Sequence, residues 1–394
     1  MSLEKQIAAV KEVYGDNIPQ LDPIYYGPVA EKYKNLSSND YITPYLLHEI
    51  FTVEEMEYIA LLPASAERIA EVCGKDVETV RGQMDLLLEL GYVLDNFRTP
   101  RVYCLPNNGV NYRDNIQMRF FVGPRDNWEQ IKNLANIVEK WVDMDPADGF
   151  PPKKVLNMRC IPKWGSIKDL PGVMFCENMK EITQYYAPKQ KMITAQCLCR
   201  FMKSFRQYGE FVPSHCEVFP NEIDGAHGHC MNFGDDMVVT GMDTESGAMI
   251  TPSLEKAMEL FKESEASNCI YEGANARILR NVCNCCGDCC PVIGFVNKGI
   301  DCITASRFRP YLKHEDSCVG CGTCESICPF HAITMVDGHP SVSPELCKGC
   351  GNCVMRCPTQ AIKMKTVHTP DWIPDCDFPI DTIGDDGNGS KKVK

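Results

Sequence analysis

The sequence predicts a multidomain α+β protein. Three observations carry that expectation. Helical periodicity gives way to short strands between residues 61 and 108, a cysteine-rich centre mixes helical and strand patterns, and SCVGCGTCESICPFHAI returns as LCKGCGNCVMRCPTQAI twenty-nine residues later. A chain of 394 residues is also long for one domain, so several are expected.

Taken in order, residues 1–60 form an N-terminal helical segment interrupted by the aromatic, proline-containing DPIYYGPVAEKY. Residues 61–108 read as a winged-helix-like domain. Within them PASAERIAEVCGKDVETVRGQMDLLLELGYVLDNFRTPRVYCLP gives two apolar-periodic helices broken at Gly74, then two strands around a polar turn. Residues 109–310 form a cysteine-rich α+β domain with helical patterns in DNWEQIKNLANIVEKWVD and TPSLEKAMELFKES. Residues 311–366 hold the repeat, and 367–394, aperiodic and rich in Gly, Pro and Asp, read as a mobile C-terminal tail.

The charge balance is acidic, 53 Asp and Glu against 40 Lys and Arg, which disfavours nucleic acid and anionic membrane surfaces as partners. The chain begins MSLEKQIAAVKEVYGDNIPQ, with early charges and no apolar run of signal-peptide length, and no stretch of about 18 apolar residues could span a bilayer. A cytoplasmic, reducing location follows as the expectation. There, 24 cysteines point to metal ligands before disulfides.

Each half of the repeat is C-x2-C-x2-C-x3-C-P. Thiolates spaced by three can wrap one cubane, and Gly320, Gly322, Gly349 and Gly351 let the backbone approach it closely. Zinc knuckles use separated pairs and have no need of a repeated fourth Cys-Pro. Residues 313–365 thus resemble a bacterial-type ferredoxin with two [4Fe-4S] clusters, a ferredoxin-like fold of βαβ repeats. The resemblance implies that the fourth ligand crosses over, giving Cys318, Cys321, Cys324 and Cys357 to one cluster and Cys347, Cys350, Cys353 and Cys328 to the other. It also implies one-electron transfer, and leaves donor and acceptor open.

Upstream lies a second field of nine thiols: Cys197 and Cys199 in QCLCRF, Cys216, Cys230, and Cys283, Cys285, Cys286, Cys289 and Cys290 in NVCNCCGDCC. A cubane bound by cysteine alone takes four, so two would leave one thiol over and one would leave five. Adjacent side chains in Cys285–Cys286 and Cys289–Cys290 point different ways, so each pair is expected to serve two purposes. Cys283, Cys286 and Cys289 or Cys290 repeat the spacing of three, and the missing ligand must come from afar. One or two further clusters, a zinc site and free thiols are the alternatives. The ordered C-x-C-R … C-N-C-C-x-C-C elements before a ferredoxin unit resemble a group of multi-cluster iron–sulfur proteins of anaerobes. That resemblance implies an electron-transfer partner of a larger oxidoreductase, one that could carry a flavin.

Other signals are weaker. His227 and His229 in GAHGHC are candidate ligands beside Cys230, and Arg200 either offsets thiolate charge or is an ordinary surface cation. Cys73, Cys104, Cys160, Cys176, Cys269, Cys302 and Cys376 stand alone in sequence and read as inert thiols. No G-x-G-x-x-G or G-x-x-x-x-G-K-[ST] fingerprint marks a nucleotide site, GDDMVVTGMDTESG included, so no flavin or NAD site is readable. Two further functions compete with the electron carrier: an open catalytic cluster in the upstream field, acting as a reductase or dehydratase, and a redox-responsive winged-helix regulator. Electrostatics oppose the regulator. Between Ala64 and Leu94, Glu67, Glu71, Asp76, Glu78, Asp85 and Glu89 outnumber Arg68, Lys75 and Arg81, against the phosphate attraction that DNA binding needs.

Overall fold

The structure, a computed structural model, describes residues 2–37, 41–89, 92–95, 101–105, 128–141, 158–197, 199–200, 229–234, 249–300 and 302–375. These fall into two compact units, one within Met1–Pro151 and the other within Pro152–Lys394. Helix and strand are mixed, as an α+β chain requires. Among the described residues no helix is long and apolar enough to cross a membrane. Cys216, His227, Cys376, the segment 235–248 and the tail beyond 375 lie outside the described residues.

In the first unit, α1 (Leu3–Tyr14), α2 (Pro28–Ser37), α3 (Thr43–Ile50) and α4 (Val53–Ile59) precede β1 (Ala64–Ser65), α5 (Ala66–Cys73), α6 (Val77–Glu89), β2 (Leu94–Asp95) and β3 (Val102–Cys104). Local chemistry sets several boundaries. Thr52 and Glu55 form a reciprocal capping box on α4, and Gly74 stops α5 in the left-handed conformation at φ +65°. The three strands pair antiparallel in the order β1–β3–β2, so a small sheet completes the helix–turn–helix. Helix α7 (Trp128–Trp141) packs on α1 and α3, a packing that the compositional boundary at 109 does not anticipate. It is amphipathic and needs an apolar surface. Trp141 is buried there, its indole N–H donating to Thr43 Oγ1 at 3.0 Å.

The second unit is built on a seven-stranded sheet in the order β10–β4–β8–β9–β6–β5–β7. Its strands are β4 (Met158–Ile161), β5 (Met192–Ala195), β6 (Cys230–Phe233), β7 (Met249–Ile250), β8 (Ile270–Ala274), β9 (Asn281–Cys285) and β10 (Ile303–Thr304). All pairs are antiparallel except β10 with β4. Because strand side chains alternate between faces, the register fixes what each face carries. Beyond the short α8 (Trp164–Ile167), Ile161, Tyr271, Val282, Met231 and Phe233 join a core with Met179 and Ile182 of α9 (Met179–Tyr186) and Ala257 and Phe261 of α10 (Leu254–Ala266). The opposite face carries cysteines.

After α11 (Pro291–Asn297) the chain enters two similar β–α–β runs. They are β11 (Phe308–Leu312), α12 (Thr323–Ser326), β12 (Ile333–Val336), then β13 (His339–Val342), α13 (Asn352–Arg356), β14 (Ile362–Thr366). β11 pairs with β14, joining the first strand to the last, and β12 with β13. Arg307, just before β11, forms a fully buried two-bond ion pair with Glu177 at 2.8 and 2.5 Å, which ties this part to the sheet domain.

Candidate metal centres

Two cradles open between the repeats. One is lined by Cys318, Cys321, Cys324 and Cys357, with Met335, Pro340 and Ile362 closing it. The other is lined by Cys328, Cys347, Cys350 and Cys353, with Phe330 and Ile333. The fourth thiol of each comes from the other repeat, because β11–β14 pairing folds the two runs against one another.

Backbone amides point at these sulfurs. Ala332 N–H donates to Cys328 Sγ at 3.3 Å. At Cys357 burial alone would raise the thiol, but the amides of Ile362, Ala361 and Thr359 and the Thr359 hydroxyl together hold it below its ordinary value. The Thr323 hydroxyl and amide lower Cys321 in the same way. Burial instead pushes Cys350 up to about 12. Such a thiol is a poor thiolate until a metal takes the place of its proton. Gly349 and Gly351 are required here: both have positive φ, and a Cβ would overlap Phe308 O and Ser306 Oγ at the first, Ser166 Oγ at the second. Four thiols per cradle with converging N–H groups suit a [4Fe-4S] cluster.

The cradles differ in setting. Cys321 is exposed and Val319 beside it is 67% exposed, whereas Cys347, Cys350 and Cys353 are buried. Lys163, Lys348 and Arg309 lie on the buried side and favour charge on Cys347 or Cys350. Lys163 is itself fully buried, its backbone N–H donating to Cys350 O at 2.9 Å.

On the cysteine face of the sheet the register places Cys160 opposite Glu272 and Glu272 opposite Cys283. Met231 pairs with Val282, so continuing that ladder by one residue sets Cys230 beside Cys283, and Cys230 is itself opposite Ala195. A row Cys160–Glu272–Cys283–Cys230 therefore crosses four adjacent strands, with neighbours about 4.5–5.5 Å apart at Cβ. Cys197 lies just past the end of β5, its thiol within hydrogen-bonding reach of Cys199 and Cys230. Arg200 is fully buried, not a surface cation, and donates to Asn284 O at 2.5 Å, between the two strand cysteines. His229 is tied to Glu263 at 2.9 Å.

The crowded NVCNCCGDCC stretch divides into two groups. Cys283 and Cys285 share a strand face, and Cys285 has Cys283 and Cys290 in reach. Cys286 and Cys289 belong to the following turn, where Cys290 N–H donates to Cys286 O at 3.1 Å, and they gather with Asp288. That turn lies against the second cradle. A Cβ at Gly287 would stand 3.3 Å from Pro329 Cβ, and Asn297 Nδ2 donates to Pro329 O at 2.9 Å. Pro329 follows Cys328, which lines that cradle.

Reading the sequence in windows passes over Cys160 and Glu272. Cys160 stands alone in sequence, yet it is fully buried and feels Cys350, Glu272 and Cys347. Glu272 interrupts the otherwise apolar strand IYEGA, and that was the available signal.

Residues 317–361 match the family model described as a 4Fe-4S dicluster domain. No curated protein and no solved structure matches the chain. Residues 317–361, near the C-terminus, are thus a ferredoxin-type [4Fe-4S] domain, and the chain that carries it is an iron–sulfur protein.

Proposed function

We propose that the chain is an electron carrier serving a larger oxidoreductase, with two clusters in the cradles and further metal held by the upstream thiols. Bound [4Fe-4S] clusters supply one-electron transfer. The protein's own residues give the path two distinct ends. Val319 and the exposed Cys321 present the first cradle to the surface, where a partner protein can reach it. Cys328–Pro329 and Cys350 turn the second cradle inward, against the NVCNCCGDCC turn and Cys160.

The observation that carries the reading is this contact between Gly287 and Pro329, which sets the two cysteine fields side by side inside one unit. Iron and acid-labile sulfide should be measured on anaerobically purified full-length protein. About eight irons for the cradles, with additional metal for the upstream field, is the expected result. Eight irons and nothing more would confine the metal to the C-terminal domain and remove the extended path. A protein whose bound iron takes up no electron from dithionite would defeat the carrier role itself.

A further inference from the structure

Glu272 is the one carboxylate in the cysteine row. It is fully buried in β8, an interior strand of the seven-stranded sheet, between Cys160 on β4 and Cys283 on β9. Neither of its oxygens has a hydrogen-bond partner; burial pushes the carboxyl well up, the neighbouring Cys290 adds to this, and only the nearby Cys285 thiol, short of the geometry of a formed bond, opposes it. An unpaired buried carboxyl costs several kcal/mol unless something compensates it. What surrounds it is a donor set: the Glu272 carboxylate and the Cys285 and Cys290 thiols, all buried, lie within 4.8 Å of one another. Cys283 stands in reach of Cys285 on the same strand face.

We propose that Glu272, Cys285 and Cys290 hold a single divalent thiophilic ion, zinc or ferrous iron, and that Cys283, in reach of Cys285 but outside that group of three, turns toward the ion as the fourth donor when it binds. Compactness decides between an ion and a cluster. Four donors on one tetrahedral ion, with metal–sulfur bonds of about 2.3 Å and metal–oxygen bonds of about 2.0–2.2 Å, stand roughly 3.5–3.8 Å apart. Thiolates on a cubane bind separate irons and spread wider. The described residues contain both arrangements: the cradle thiols are not among the groups of three donors gathered within 4.8 Å, whereas Glu272, Cys285 and Cys290 are. Sulfur donors with one carboxylate select zinc or iron over hard ions such as calcium or magnesium. With Cys283, Cys285 and Cys290 so used, Cys197, Cys199 and Cys230 remain for a separate centre.

The inference rests on reading the upstream thiols as metal ligands, and is independent of whether the cradles carry electrons to a partner. Full-length protein, purified anaerobically, is analysed for iron, zinc and acid-labile sulfide. Cubanes contribute iron and sulfide one to one, so the expected result is about one equivalent of zinc, or of iron in excess of sulfide. Glu272→Gln should lose that equivalent while the reduced-cluster EPR signal of the cradles persists, and Glu272→Cys should retain it. Equal iron and sulfide with no zinc would overturn the proposal, as would full retention of the extra metal in Glu272→Gln. Should Glu272→Gln not fold, X-ray absorption at the edge of the extra metal in the unaltered protein decides: a shell of sulfur with one oxygen is expected, and a sulfur-only shell refutes it. Absence of a reducible cluster signal would instead strike the electron-carrier reading and leave this one standing.

Discussion

Gly349 and Gly322 each lie between two cysteines of a cradle, at different places in the repeat since Gly349 corresponds to Gly320, and the structure assigns them very different tolerance. Both have φ of +72°, so an alanine at either position pays the left-handed penalty of about 1–2 kcal/mol. At Gly322 nothing stands within 4 Å of the added Cβ, and that penalty is the whole cost. At Gly349 the Cβ would overlap the carbonyl oxygen of Phe308 and the hydroxyl of Ser306, neither of which can step aside. Ser306 Oγ donates to Gly349 O at 2.8 Å, and Ser306 N–H to Lys348 O at 2.9 Å, so moving the segment breaks two buried bonds. At about 1 kcal/mol for each, the total for Gly349→Ala reaches roughly 3–4 kcal/mol, against about 1–2 for Gly322→Ala. Because Gly349 lies between Cys347 and Cys350, the loss should fall on the buried cradle. Anaerobic denaturant titration gives the stability difference, and iron and sulfide counts with EPR of the reduced protein show which cluster goes. Equal destabilisation by the two substitutions, or full iron retention in Gly349→Ala, would refute the packing argument.

Four further outcomes are expected. Cys357→Ala should remove the cluster of Cys318, Cys321 and Cys324 and spare that of Cys347, Cys350 and Cys353, although Cys357 follows the latter in sequence; iron content near half of the cradle complement, with one EPR signal kept, checks the crossover. Glu177→Ala should destabilise the second unit by about 3–5 kcal/mol, since it strands the buried Arg307, and should do more harm than Glu177→Gln in chemical denaturation. Lys348→Gln removes a cation close to Cys347 and should shift the buried cluster to more negative potential by tens of millivolts, on the scale where 59 mV for one electron equals about 1.4 kcal/mol, as read by redox titration. Full-length protein should show no salt-sensitive affinity for duplex DNA in either oxidation state, because Glu67 and Glu78 at the helix–turn–helix already take up Arg81, as measured by fluorescence anisotropy.

Local sequence reveals the cradles because their chemistry is local: three thiolates and the glycines between them occupy seven residues, and the repeat announces itself twice. The helix–turn–helix is legible for a similar reason, its break lying at a glycine that must adopt positive φ. The row on the sheet is not legible this way. Cys160 and Glu272 are more than a hundred residues apart, and only strand register makes them neighbours. The helix Trp128–Trp141 shows the same limit, since its amphipathic pattern announces an apolar face without naming the surface that will cover it.

The register also bears on why Glu272 can exist where it does. Its strand is central, with β4 on one side and β9 on the other, so its side chain cannot swing past an edge into water. The face it occupies is shared with Cys160, Cys283 and Cys285, while Tyr271 on the opposite face is committed to the apolar core. A glutamine would fill the same volume without charge, and an aliphatic residue would extend the apolar strand; either would fold as well or better if burial were the only demand. A carboxylate held among thiols makes sense when the group it meets is a cation. Metal binding then contributes to the folding of this sheet as well as to its chemistry. Chelation of the extra ion from the intact protein should therefore lower the stability of the second unit, and it should do so less in Glu272→Gln, which has already lost the ion.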